Sequence, residues 1–397
     1  MSLLGRIRGA DAPRRVLFLV VGGVLALALV AFLVPWLVLD GDDPEACRKA
    51  PASARALARD PERATKALDP GKVVTHAGTE PVRRLLGVTG APLCEGPEGT
   101  QLAGRVLVAA TTGRTAEDQA EPARPHTERQ ALVAYAVVDA LGRGRDGYQP
   151  DFALGLSPYL AQMFASYIQD TSRAVLGGAP SDWEHPTATD EEAEYGDDSG
   201  NWATPFPSGR DVHAVFPGIS TTEKVLRRVA ASPRAFATLY DAERARFAWY
   251  LERLTDKAQE PGEEPKEGVM ATETELERSA TFVAELMGAR TAAVKDGFAL
   301  APSLAAFDGA VLEHTRGLYH PADHRVRTRP SDATLAQRRP DASAGSGKRA
   351  VERLMDGRVQ LFTVFDAWAR KRHIPAGTVE RLRTDMDTRY ANALNLL

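Results

Sequence analysis

The longest apolar stretch of the chain is near its N-terminus, where residues 16–39 carry no charged side chain. A helix rises about 1.5 Å per residue, so about 20 apolar residues are enough to cross the hydrocarbon core of a bilayer. The charges in residues 1–15 are mostly basic, and the first charges after the stretch are acidic, which by the positive-inside rule keeps the N-terminus in the cytoplasm. The pattern predicts a transmembrane anchor at 16–39 after a cytoplasmic basic tail at 1–15.

Two other interpretations of this stretch stay open. A cleaved signal peptide usually has a shorter apolar region and a cleavage site with small residues, whereas this stretch ends between Trp36 and Asp40 without one. An inverted topology would instead place the large remainder of the chain in the cytosol.

Beyond the anchor, apolar residues recur mostly at intervals of three and four, the spacing of one helix face. Thr127 and Gln130 have the spacing of a capping box. The run 131–138 that follows places apolar residues on all sides of the helix, so this helix is expected to be buried. The same residue types mark five other helix starts. These are Ser157-Pro158, Ser220 with Glu223, Ser232-Pro233, Thr272 with Glu275, and Pro302.

The C-terminal region is predicted to be an antiparallel pair of helices. The residue before a proline avoids the α region, so the first helix should break at Ile374-Pro375. The second helix has coiled-coil-like apolar spacing, which could also serve self-association into a homo-oligomer. The long helix that begins at Ser232-Pro233 should bury one face, formed by Phe236, Leu239, Tyr240, Phe247, Tyr250, Leu251 and Leu254.

Strand patterns are scarce, because only residues 105–110 and 73–74 resemble extended segments. We therefore expect a mainly α fold: an N-terminal transmembrane helix followed by an extracytoplasmic domain of about ten helices with little strand. A Pro/Glu/Gly-rich linker is predicted at 258–268. Beyond the anchor, the predicted parts are a mostly helical, disulfide-containing lobe at 40–180, an acidic loop at 181–210, a helical lobe at 211–319, a basic flexible loop at 320–349 and a helical hairpin at 350–397.

Cys47 and Cys94 are the only cysteines of the chain, and both follow the predicted anchor. An isolated pair outside the cytoplasm is typical of a disulfide, because that compartment is oxidising. The alternative is two independent buried thiols. We expect the disulfide.

Composition narrows the class of partner only a little. The chain has 49 basic and 53 acidic side chains, so its net charge of −4 gives no reason to expect nucleic-acid binding. Its 40 arginines against 9 lysines are typical of a high-GC bacterial genome. The number of arginines is therefore not taken as a sign of phosphate binding.

Three histidines, His314, His320 and His324, fall within eleven residues and are weak candidates for a metal site. Imidazoles four residues apart on one helix can share a zinc ion. Pro321 directly after His320 would place that histidine in a helix cap and spoil this geometry. A turn with ordinary histidines is the better prediction.

Other cofactor motifs fail on a required residue. The segment from Asp197 begins like a calcium loop but has Trp202 where glycine is needed and Ser208 where glutamate is needed. The glycines at 142, 144 and 147 follow a predicted helix instead of a strand, and Lys348 is followed by Arg349 instead of Ser or Thr. The sequence therefore predicts no cofactor.

Acidic residues inside apolar helices are the remaining sign of enzymatic chemistry. Asp139, Glu285 and Asp366 each interrupt an apolar run. A glycosidase needs two carboxylates about 5–10 Å apart, one of them with a raised pKa. Because a buried charge without a partner is costly, pairing of each acid with an arginine is expected instead.

The basic stretch 320–349 contains five arginines that are candidates for binding anions, such as envelope polymers or lipid headgroups. The alternative is a flexible linker between helical parts. The candidates are Arg325, Arg327, Arg329, Arg338 and Arg339.

Together these patterns predict a single-pass protein of the bacterial envelope, with its N-terminus in the cytoplasm and a helical binding or scaffolding domain outside. Its partners would be envelope proteins or anionic polymers, and catalysis is not expected. The alternative is an envelope hydrolase that cleaves glycan or peptide cross-links with Asp139 and Glu285 as its acids.

Overall fold

The computed structural model describes residues 47–89, 91–118, 125–143, 152–176, 186–189, 195–196, 202–203, 212–254, 267–295, 302–314 and 357–395. The predicted anchor at 16–39 lies outside these residues. No helix within them is both long and apolar enough to cross a bilayer. Contacts between residues divide the chain into two units, residues 1–47 and residues 48–397, and the second is compact.

The described part of the chain is mainly helical, as predicted, with thirteen α-helices and a short 3₁₀ turn at Leu154–Leu156. The helices are α1 Ala54–Leu57, α2 Pro61–Leu68, α3 Glu80–Leu86, α4 Thr100–Thr112, α5 Glu128–Arg143, α6 Ser157–Ser166, α7 Ile168–Val175, α8 Ile219–Ala230, α9 Pro233–Arg253, α10 Glu267–Lys295, α11 Leu304–His314, α12 Gly357–Arg372 and α13 Ala376–Asn395.

Four short strands lie between α7 and α8, partly within the stretch predicted to be an acidic loop. They form two antiparallel pairs, in which Ala188 lies opposite His213 and Gly196 opposite Trp202. The strands are β1 Thr187–Thr189, β2 Tyr195–Gly196, β3 Trp202–Ala203 and β4 Val212–Ala214.

Several sequence predictions are confirmed in detail. The backbone N–H of Thr127 donates to Gln130 Oε1 at 2.8 Å, and the backbone N–H of Gln130 donates back to Thr127 Oγ1 at 3.4 Å. Helix α5 behind this capping box is largely buried. Ser232 is the N-cap of α9, and all seven residues predicted for its apolar face are buried. These patterns succeed because the apolar period and the cap residues agree with each other.

The predicted strand at 105–110 is wrong, because these residues lie within α4, where 100–112 are almost entirely buried. A short apolar run without alternation cannot distinguish a buried strand from a buried helix, and residues 106–112 of α4 are all buried. Residues 73–74 lie in a turn, and Val73 is 75% exposed.

Three predicted helix starts are displaced. Ser157 is the first residue of α6 instead of its N-cap, and its buried Oγ has no partner in the described residues. Helix α8 follows Gly218 without a side-chain cap from Ser220. Helix α10 begins at Glu267, inside the predicted linker at 258–268, so Glu275 lies within the helix. A Ser or Thr followed three residues later by Glu, which is the spacing of a capping box, also occurs by chance inside helices.

Helix α9 is the hub of the fold. It packs against α6, α7, α8, α10, α11 and α12. Phe236 stacks with Tyr240 at 5.7 Å and meets Phe307 of α11 edge-on at 5.4 Å. The hydroxyl of Tyr240 donates to the carbonyl of Gly357 at the start of α12, at 3.0 Å.

Helices α12 and α13 are antiparallel, because Arg358 pairs with Asp387 at 2.8 Å while Asp366 pairs with Arg383. His373 between them has φ +55°, and α12 ends just before the Ile374-Pro375 step, as predicted. Helix α13 also packs extensively against α10, where Arg381 pairs with Glu273 at 2.8 Å.

Cys47 and Cys94 form the predicted disulfide. Backbone hydrogen bonds surround it: Arg48 N–H donates to the carbonyl of Pro92 at 2.7 Å, and Cys94 N–H donates to the carbonyl of Arg48 at 3.0 Å. The bond closes a loop that includes α1, α2 and α3.

Removal of the disulfide should destabilise the chain. The double variant Cys47→Ala/Cys94→Ala should lose about 4 kcal/mol of unfolding free energy, because closure of a loop of this length restricts the unfolded chain. Urea denaturation followed by circular dichroism measures the difference. An unchanged midpoint in the double variant would show that the bond adds nothing to stability.

Candidate functional site

The three acids considered from the sequence each have an arginine partner. Asp139 pairs with Arg143 at 2.9 Å, Glu285 pairs with Arg227 at 2.8 Å, and Asp366 pairs with Arg383. Burial raises the pKa of Glu285, and attraction to Arg227 works against that increase. The three carboxylates thus lie on three different helices with three different partners.

Of the three candidate metal histidines, only His314 lies in the described residues, at the last position of α11. Its Nε2 is 3.6 Å from Asp241 Oδ2 of α9. The described residues contain no group of three His, Cys, Asp or Glu side chains that could hold a metal ion. His320 and His324 lie outside the described residues, as do the anion-binding candidates Arg325, Arg327, Arg329, Arg338 and Arg339.

The densest group of charges is one that the sequence analysis did not identify, and it surrounds Arg246 of α9. The Arg246 side chain is fully buried. One of its amino groups donates to Glu243 Oε1 at 2.6 Å and to Ser279 Oγ at 2.8 Å, and the other contacts Glu275. Its Nε donates to Gln169 Oε1 of α7 at 2.9 Å. We call Gln169, Arg173, Glu243, Arg246, Tyr250, Glu275 and Ser279 the Arg246 cluster.

The remaining members of the Arg246 cluster complete its hydrogen bonding. Tyr250 Oη donates to Gln169 Oε1 at 3.0 Å, and Arg173 of α7 lies 3.7 Å from Glu275 Oε1. Arg278 reaches the same Glu275 oxygen from the next turn of α10, at 2.7 Å. The cluster thus joins α7, α9 and α10 through buried polar contacts.

The two glutamates of the Arg246 cluster differ in their electrostatics. Burial is the largest single influence on both carboxyls, and by itself it would raise the pKa of each. For Glu275, attraction to Arg246, Arg173 and Arg278 outweighs burial and lowers the pKa to about 2. For Glu243, burial outweighs attraction to Arg246, and the pKa is raised. Glu275 is therefore the anion that balances the buried arginines.

Helix α7 is unusual because all eight of its residues are buried although five of them are polar or charged. Two of the five belong to the Arg246 cluster. Asp170 accepts from His213 Nδ1 of β4 at 2.8 Å and from the backbone N–H of Ala214 at 3.0 Å. These contacts attach the β1–β4 hairpin to the helical core.

A second histidine lies at the break between α6 and α7. His126 Nε2 is 2.9 Å from Ser166 Oγ, and its ring stacks on Tyr167 at 3.9 Å. Tyr167 in turn donates its hydroxyl to the carbonyl of Thr111 in α4, at 2.9 Å. These contacts fix the segment before α5 against α4 and α6.

Helix α11 is held in place by a buried ion pair with α10 and by a histidine–carboxylate contact with α9. Arg290 of α10 pairs with Asp308, and both side chains are almost completely buried. Asp241 of α9 accepts from Arg244 at 2.9 Å and contacts His314. The position of α11 is therefore set by charge as well as by the packing of Phe307.

A cleft of about 450 Å³ lies beside α11, bordered by α4, α6 and α9. We call it the α9–α11 cleft. Among the residues that line it, Ala116, Ala237 and Ala310 have small apolar side chains. Its polar lining carries both signs of charge, from Arg105, Glu117, Arg234, Glu313 and His314. Asp139 and Glu285 are not among the residues that line it.

Only some charges in the α9–α11 cleft are neutralised by neighbours. Arg105 pairs with Glu117 at 2.8 Å, and His314 contacts Asp241. Within the described part of the chain, Arg234 and Glu313 form no ion pair, and both side chains are exposed. The cleft therefore presents one unpaired cation and one unpaired anion to a ligand.

Tyr159 forms a wall of the α9–α11 cleft and is positioned by a glycine. A Cβ atom added to Gly104 of α4 would lie 2.1 Å from Tyr159 Cδ2, so the ring packs directly on the α4 backbone. Gln162 lies one turn further along α6 and also lines the cleft. Both side chains are on helices, which hold a binding group more rigidly than loops do.

Replacement of the two cluster glutamates should have unequal effects. Glu275→Gln should cost about 3 kcal/mol of unfolding free energy at pH 7, because it removes from Arg246 and Arg173 a counter-ion whose low pKa keeps it charged. The matched variant Glu243→Gln should cost less, because burial raises the pKa of Glu243 and so disfavours its charge, whereas the pKa of Glu275 is lowered. Urea denaturation measures both, and equal losses would contradict this assignment.

The stabilisation by Glu275 should depend on pH. Its pKa is about 2 in the folded chain, against an ordinary value of 4.5, so its contribution is complete above about pH 4.5 and is lost as the pH falls toward 2. The stability difference between the wild-type chain and Glu275→Gln should therefore shrink over this interval. Denaturation at a series of pH values measures it, and a difference that does not change with pH would refute the pKa assignment.

The chain was compared with protein-family models, with curated proteins and with solved structures, and none of them matches it.

Proposed function

We propose that this chain is a single-pass membrane protein of a bacterial envelope, with its N-terminus in the cytoplasm and its helical domain outside. The observation that carries the proposal is the disulfide between Cys47 and Cys94. Disulfides persist in oxidising compartments and are rare in the cytosol. Cys47 follows the uncharged stretch 16–39 by only eight residues, so a membrane segment and an oxidised domain adjoin in the sequence.

The charges beside the uncharged stretch support the same orientation. Arg6, Arg8, Arg14 and Arg15 precede it with only Asp11 against them, and the first charged residues after it are acidic. Such a bias in short flanking segments sets the orientation of a membrane helix.

The proposed role of the extracytoplasmic domain is binding. The α9–α11 cleft is within the usual size range of small-molecule sites, about 300–1,000 Å³, and its polar groups stand on packed helices. The arginines at 325–339 would add electrostatic attraction to anionic polymers or lipid headgroups of the envelope. In this proposal the domain recognises a component of the envelope and does not transform it.

The orientation can be tested by labelling introduced cysteines on intact cells with a membrane-impermeant maleimide. The native cysteines are bonded to each other and do not react. Val73→Cys, at a position that is 75% exposed, should be labelled, whereas the control Ser2→Cys should be labelled only after the cells are lysed. Labelling of Ser2→Cys but not Val73→Cys in intact cells would establish the inverted topology and refute the proposal.

A further inference from the structure

The α9–α11 cleft carries a specific pattern of charge that defines a class of ligand. Arg105 and Glu117 of its lining pair with each other, and His314 contacts Asp241, which does not line the cleft. Arg234 of α9 and Glu313 of α11 remain, with no ion-pair partner in the described part of the chain. A ligand that neutralises both must carry a cation and an anion of its own.

The start of α9 strengthens the positive charge at Arg234. Arg234 is the second residue of α9, where the unpaired backbone N–H groups give the helix end partial positive charge, and Ser232 forms no side-chain hydrogen bond to cap them. Glu313 lies next to His314 in the last described turn of α11. The start of α9 therefore favours a carboxylate, and the Glu313 carboxylate itself favours an ammonium group.

The remaining lining suits a small peptide-like molecule. Gln162 can donate to and accept from an amide group, and the Tyr159 hydroxyl makes no hydrogen bond in the described residues. The alanines at 116, 237 and 310 leave room instead of filling the cleft with larger side chains. Arg is well suited to the carboxylate, because its planar guanidinium can donate two parallel hydrogen bonds to it.

We infer that the α9–α11 cleft binds a small zwitterion of the amino-acid or short-peptide class, with its free carboxylate on Arg234 and its free ammonium group on Glu313. This inference rests on the proposed function, since it names the ligand of the proposed extracytoplasmic binding domain. No bond is made or broken in this step.

The test is isothermal titration of the full-length chain in detergent with four probes: trialanine, N-acetyl-trialanine, trialanine amide and free alanine. Trialanine should bind, and blocking either of its ends should weaken binding by at least about tenfold, because each block removes one ion pair. Binding by free alanine as tight as by trialanine would assign the site to amino acids, and weaker binding would assign it to peptides.

Two variants assign the ends of the ligand. Arg234→Gln should bind trialanine and its amide equally, and Glu313→Gln should bind trialanine and its N-acetyl form equally. The matched controls Arg370→Gln and Glu380→Gln change the same charges at exposed positions of α12 and α13 that do not line the cleft, and they should bind like the wild-type chain. All four replaced side chains are exposed, so the variants are expected to fold, which circular dichroism checks.

Two results would overturn the inference. One is the absence of binding heat from all four probes at about 5 mM, which excludes even millimolar affinity. The other is that amidation weakens the binding of trialanine to Arg234→Gln as much as it weakens binding to the wild-type chain. The carboxylate would then bind elsewhere. If Val73→Cys is labelled on intact cells in either case, the proposed location and orientation stand and only the zwitterion assignment fails.

Discussion

The fully buried guanidinium of Arg246 is the contact on which the arrangement of the helical domain depends. Through it, α9 is joined to Gln169 of α7 and to Glu275 and Ser279 of α10. A buried charge is tolerated only when its hydrogen bonds and its counter-charge are in place. The three helices must therefore meet in one register, because displacement of any of them would leave Arg246 without a partner.

The α9–α11 cleft is a consequence of this constraint. Helix α9 carries Arg246 in its C-terminal half and contributes Arg234, Ala237 and Thr238 to the cleft from its N-terminal half. The contacts of Asp241 with His314 and of Arg290 with Asp308 then position α11 against it. A closely packed protein interior transmits the displacement of one helix to its neighbours instead of absorbing it. The geometry of the cleft therefore follows from the buried charges.

The sequence predicted much of the fold because apolar period and helix caps are local signals. The Thr127–Gln130 capping box and the buried face of α9 illustrate this success. The strand prediction at 105–110 failed because residues 106–112 of α4 are all buried, so no polar face reveals the helical period there. Glu275 was mistaken for a cap residue, since its partners Arg246 and Arg173 are brought to it only by tertiary folding.

The candidate site was less predictable, and the reason is physical. His314 was identified from the sequence, but as a metal ligand, whereas it contacts Asp241. Charged residues three apart on a helix, such as Asp241 with Arg244 and Glu243 with Arg246, look the same in the sequence whether the helix face is exposed or buried. Their environment follows from which helices cover α9, and this is set by contacts between distant parts of the chain.

The separation of paired and unpaired charges connects the fold to its proposed role. Glu275 and Asp308 are buried acids that pair with arginine, because burial makes an isolated charge costly. Arg234 and Glu313 are exposed, where hydration makes an unpaired charge inexpensive. A ligand that enters the α9–α11 cleft displaces that hydration and must replace it with charge of the opposite sign. Selectivity for a zwitterion therefore arises because Arg105 and Glu117 already pair with each other and His314 contacts Asp241, which leaves Arg234 and Glu313 for the ligand.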